Sequence, residues 1–186
     1  MGGHIIIHGT LSFSNDGSIR RGENDDIVSI ATCELNSEFT IRDQDGTWVS
    51  PHSVRPLPEF FYETAGLNQR RVEGSQTFNG GYYDLRHYIR NYQGNYSKTT
   101  VWFWGDSVKN VMIKQALAYR NSVREFITDS QDLQALFSKT FNCQKMGIRG
   151  AARKLGLSIE DYATHCAHDN SVLMSKILRK TNDFIL

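Results

Sequence analysis

The apolar pattern of the chain changes period part-way along. Residues 5–7, Ile-Ile-Ile, are a short β-branched run. After the polar stretch 12–26, the segments 27–35 (IVSIATCEL) and 38–43 (EFTIRD) repeat a strand-like composition, with Asp45-Gly46 as a turn signal behind them. A meander of three strands is predicted. Residues 47–58 hold all three prolines, which excludes a central strand there, and they lead into a short helical stretch over 59–64 that Gly66 ends. Helical spacing then takes over: Leu85, Tyr88, Ile89 and Tyr92 share one face, and Gly94 stops that helix. Residues 99–104 (TTVWFW) read as a buried strand, so Trp102, Phe103 and Trp104 are expected in the core. Asp106 and Ser107 are expected to cap a helix whose Val108, Val111, Met112 and Tyr119 align. A short strand over 125–128 (EFIT) and helices over 133–141, 148–155 and 171–178 complete the pattern. Strands first and β/α alternation afterwards predict an α/β domain, a mixed sheet of about five strands flanked by helices.

Composition narrows the class. A chain of 186 residues, 39% hydrophobic and 22% charged, suits one domain over 1–186. The formal net charge of +1 gives no global field for a polyanion, so a nucleic-acid site has to be a local patch. Three cysteines, Cys33, Cys143 and Cys166, without a Cys-x-x-Cys pair argue against a disulfide framework and a structural zinc site, which suits a reducing, cytoplasmic or otherwise intracellular setting. The N-terminus lacks a secretory h-region, and no apolar stretch approaches the ~20 residues of a membrane helix.

Four stretches together carry a resemblance: 53–78 (SVRPLPEFFYETAGLNQRRVEGSQTF), WFWGDSVKNVM, DLQALFSKTF and HCAHDNS. In this order and spacing they resemble the DEDDh 3′→5′ exonucleases, specifically the branch of the histone-mRNA 3′ exonuclease, the enhanced-RNAi exonucleases and bacterial KapD. The resemblance implies the ribonuclease-H-like exonuclease fold. It also implies a chemistry in which four carboxylates hold two divalent ions and a histidine acts as general base.

By that resemblance, the first two acids fall where this chain has His8 and Thr10, the third falls on Val108 and the fourth on Asn170. Only the histidine is retained, as His165. Val108 supplies no ligand, Thr10 and Asn170 supply neutral oxygens, and His8 prefers borderline transition metals to magnesium. The expectation is a catalytically inactive domain without a cofactor, acting as an RNA- or protein-binding module in RNA metabolism or silencing. Arg149, Arg153 and Lys154 in GIRGAARKLG are the candidate phosphate contacts, against the commoner reading of a solvated helical face. Two alternatives stay open. One is an active 3′→5′ exoribonuclease with a rearranged Mg²⁺ or Mn²⁺ site on Asp106 and Asp169, residues otherwise expected to cap their helices. The other is a structural or assembly protein without nucleic-acid contact.

Overall fold

The computed structural model describes residues 2–12, 26–51, 69–94, 98–123, 125–163 and 165–185. The polar stretch with Arg20 and Arg21, and the helical stretch expected over 59–64, lie outside the described residues apart from the ends of the former.

The triple-isoleucine run is the middle of a longer strand, β1 (Gly2–Leu11), which pairs antiparallel with β2 (Ile27–Leu35). β2 in turn pairs antiparallel with β3 (Ile41–Ser50). The turn signal at Asp45-Gly46 is not used: β3 runs straight through it, with Gly46 opposite Ala31. The chain reverses earlier, where the Asn36 side-chain oxygen accepts the N–H groups of Glu38 (3.0 Å) and Thr40 (2.9 Å). An asparagine side chain replaces a Gly-containing turn there, and Phe39 takes a positive φ of 57° inside it.

A short helix, α1 (Gln69–Glu73), precedes the two-residue strand β4 (Gln76–Thr77), which lies parallel to β3. Thr77 then caps α2 (Phe78–Gln93) through its side chain, and Gly94 closes that helix as expected. β5 (Lys98–Phe103) lies parallel to β1 and is followed by α3 (Ser107–Ala118). Residues 125–128 are a helical turn, α4 (Glu125–Thr128), not a strand. Fully buried Ile127 anchors it in the core, and tertiary packing overrides the β-propensity of Phe-Ile-Thr. The strand comes just after it, as β6 (Gln131–Asp132), parallel to β5. Helices α5 (Leu133–Thr140), α6 (Ile148–Lys154) and α7 (Ala167–Ile185) complete the chain, the last beginning four residues earlier and ending later than its apolar pattern shows. The sheet therefore has six strands rather than five, in the order β4-β3-β2-β1-β5-β6. Two-residue strands are too short to leave a period in the sequence.

Alternation along β1 divides the core. Ile5, Ile7 and Leu11 pack with Phe78, Tyr82 and Ile89 of α2 and Val111 and Met112 of α3. Ile6 turns to the other face, with Cys33 and Leu35 of β2, Leu133 of α5, and Met174 and Leu178 of α7. Buried Gln115 ties α3 to the start of β2, accepting the Ile27 N–H at 3.0 Å and donating to the Asp26 carboxylate at 2.8 Å. Among the described residues no helix is long and apolar enough to cross a membrane.

Candidate functional site

Of the residues singled out by sequence, His8, Thr10, Val108 and His165 come together at the C-terminal end of β1. Alternation turns Gly9 toward α3 and turns His8 and Thr10 toward α7. Thr10 is 3% exposed, and its hydroxyl donates to the His165 carbonyl oxygen at 2.6 Å, a contact bridging 155 residues of sequence. The strand end is thus fastened to the loop that opens α7. Asn170, 6% exposed, lies in the first turn of that helix, with its N–H on the Cys166 carbonyl.

Val108 sits on the other side of β1. It packs against the α2/α3 apolar cluster, and its γ-methyl is 3.0 Å from the point where a Cβ on Gly9 would lie. A Cβ at position 9 would crowd that methyl and the Ser29 carbonyl oxygen, 3.2 Å away. The preceding turn is fixed by Gly105, at φ +63°, whose N–H donates to Asp132 at 3.0 Å. The Asp132 side chain also caps α5 through the Ala135 N–H at 3.1 Å, which joins the WGD and DLQ stretches.

His8 retains some exposure, but its Nδ1 is buried and has no hydrogen-bond partner among the described residues. Burial pulls its pKa down to about 4, so the ring is neutral near pH 7. His165 is half-buried and is also held below the usual histidine range, first by burial and then by the nearby Arg149 guanidinium.

That guanidinium donates to the carbonyl oxygens of Tyr162 (2.7 Å) and Ile159 (3.0 Å), so Arg149 braces the segment leading to His165. Arg153 and Lys154 are exposed at the end of α6. The three basic residues therefore do not present one uniform face.

The capping roles expected of the two aspartates differ from what is found. Asp106 occupies the N-cap position of α3 but makes no side-chain cap hydrogen bond, because its backbone has already turned helical at φ −99°, ψ −12°. Asp169 lies inside the first turn of α7 and reaches back to accept the Ala163 N–H at 2.8 Å, with His168 Nδ1 3.6 Å from its other oxygen. Nor do they make a shared centre: among the described residues, no three His, Cys, Asp or Glu side chains are grouped so as to hold a metal ion. Among the described residues, the four positions that the resemblance gives to carboxylates do not fit Mg²⁺ or Mn²⁺ either, since they offer one imidazole, one hydroxyl already donated to a carbonyl, one amide and one hydrocarbon side chain.

Sequence reasoning missed Ser29. It pairs with Thr10 across β1 and β2, is 3% exposed, and its Oγ has no hydrogen-bond partner among the described residues. Only strand alternation, read with the correct register, could have pointed to it.

No protein-family model matches the sequence, and no curated protein does. Solved structures do match the fold. The nuclease domain of 3'hExo, a DEDDh family member, bound to rAMP, superposes with a TM-score of 0.85 at 16% identity, covering 97% of this chain and 92% of that one. A 3′-exonuclease recognising the 3′ end of the histone mRNA stem-loop gives a TM-score of 0.86 at 15% identity, over 97% and 81%. Cell-death related nuclease 4 (CRN-4) gives 0.80 at 14%, over 97% of this chain and 64% of its own. At these identities it is the fold that is shared: the chain has the ribonuclease-H-like architecture of the DEDDh 3′-exonucleases.

Proposed function

We propose that this chain is a non-catalytic exonuclease-fold domain that binds RNA without cutting it. The observation that carries the reading is the Thr10–His165 bond: at the strand end, a hydroxyl stands where the resemblance puts a metal-binding carboxylate, and it is committed to a backbone carbonyl. Val108 fills the neighbouring position with hydrocarbon, and Asn170 brings an amide in place of an anion. Without clustered carboxylates the cleft repels phosphate less than an acid-lined cleft lacking its metals. RNA is favoured as the partner because two structures sharing the fold hold rAMP or recognise an mRNA stem-loop. Arg153 and Lys154, exposed at the end of α6, are the candidate phosphate contacts.

The test is fluorescence anisotropy with a single-stranded RNA, in EDTA and in Mg²⁺, recovering the RNA afterwards. Equal affinity in both and RNA of unchanged length are expected. Changing Arg153 and Lys154 to alanine should weaken binding to all sequences and reduce the salt slope by about 0.7 per lost phosphate contact. Absence of RNA binding by the parent protein would transfer the reading to a protein partner.

A further inference from the structure

We propose that the cavity between β2, β3 and the start of α7 is a pocket for an uncharged planar ring, specifically an unpaired nucleobase, with Ser29 as its hydrogen-bonding group and Trp48 as its stacking wall. The proposal rests on the reading of the domain as an RNA binder and specifies where a base is held.

The cavity is about 170 Å³ and is lined by Ser29, Ala31, Gly46, Trp48, Cys166 and His168, among others. Register places it beside the Thr10–His165 contact: Thr10 pairs with Ser29 and Ser29 with Trp48, so these three residues form one row across β1, β2 and β3 on the α7 face. The row ends in the cavity.

Ser29 is the observation that points to a ligand. It lines the cavity at 3% exposure, and its hydroxyl has no partner among the described residues. Buried polar groups are ordinarily satisfied, and this one, sealed beneath the cavity wall, gains a partner only when an occupant displaces the side chains that cover it. Gly46 keeps the floor clear. A Cβ there would meet Ile30 O at 3.4 Å and Ala31 Cβ at 3.5 Å, which is ordinary contact, so the fold does not require glycine while the open space does.

The lining sets the chemistry of the occupant. Among the described residues it contains no Lys or Arg, while Asp45 contributes a carboxylate, which disfavours a phosphate group. No trio of metal-ligating side chains is present among the described residues, which disfavours a cation. A neutral ring that stacks on an indole and exchanges one hydrogen bond with a hydroxyl matches what remains, and every nucleobase has such a face and edge.

The experiment titrates uncharged nucleosides, adenosine, guanosine, cytidine and uridine, into the full chain in EDTA, read by NMR at the Gly46 amide and the Trp48 indole. At least one nucleoside should shift both signals saturably. Ser29→Ala should weaken that binding about tenfold and raise the melting temperature, because it removes an unsatisfied buried hydroxyl. Gly46→Val, which fills the floor with a residue suited to strands, should stay folded by circular dichroism and abolish the shifts.

Shifts absent at saturating nucleoside, or unchanged in Gly46→Val, overturn the proposal. A lower melting temperature in Ser29→Ala with unaltered nucleoside affinity overturns the role given to its hydroxyl. RNA binding that persists without any nucleoside response overturns the pocket and leaves the RNA-binding reading standing. Nucleoside binding in a parent protein that ignores RNA does the reverse.

Discussion

Replacing Thr10 by valine isolates the contact that fastens the strand end to α7. The two side chains are nearly isosteric and both suit a strand, so the substitution removes one donor and little else. The lost bond is short, 2.6 Å, and comes from a residue only 3% exposed. A hydrogen bond of this neutral kind contributes about 1 kcal/mol net. Leaving the His165 carbonyl short of a donor adds to that, less what solvent recovers at a half-buried residue. A total of roughly 1–2 kcal/mol follows, which for a domain of this size lowers the melting temperature by roughly 3–6 °C. The loss should also be local. Amide hydrogen exchange at Asn170, whose N–H closes the first turn of α7 on Cys166, should accelerate in Thr10→Val more than exchange in α2 does. Equal stability of variant and parent, or a loss spread evenly over both helices, would refute the fastening role.

Three further outcomes are expected. His8 is held neutral in the folded chain, with its pKa lowered to about 4, while the unfolded chain takes up a proton near pH 6.5. Stability should therefore be flat above that pH and fall as the pH drops toward 4, by at most on the order of 3 kcal/mol from this group; urea melts of the parent and of His8→Leu should diverge in that window, the variant showing the shallower slope. Arg149→Gln should cost about 2 kcal/mol by freeing the Ile159 and Tyr162 carbonyls, and NMR titration should show the His165 pKa rising, though still below the ordinary value because burial, its larger cause, remains. Combining His8→Asp, Thr10→Glu, Val108→Asp and Asn170→Asp should give a less stable protein whose melting temperature Mn²⁺ raises, while the parent shows no response to the ion.

Long-period features were legible in the sequence because burial writes them directly. The α2 face from Leu85 to Tyr92 and the Gly94 stop are found as read, and so are the starts of β2 and α5. Short features were not legible. β4 and β6 have two residues each, and the segment 125–128 has strand-forming residues but is held as a helical turn by one buried isoleucine. Asp45-Gly46 is a turn signal with no turn, since a glycine in mid-strand serves a neighbouring space as readily as a reversal. At the site, the sequence named Thr10 and His165, but not the bond between them. It marked Arg149 as a surface cation when the guanidinium faces backbone carbonyls, and it had no means of marking Ser29. Each of these depends on register or on chain segments far apart, which no local pattern records.

The central claim is that this exonuclease fold lacks the chemistry to cut RNA, and a 3′→5′ degradation assay tests it most directly. A 5′-labelled single-stranded RNA incubated with excess protein in Mg²⁺ and in Mn²⁺ should remain full length on a sequencing gel, with His165→Ala indistinguishable from the parent. Metal-dependent shortening from the 3′ end that His165→Ala abolishes would contradict the account and make His165 a working base.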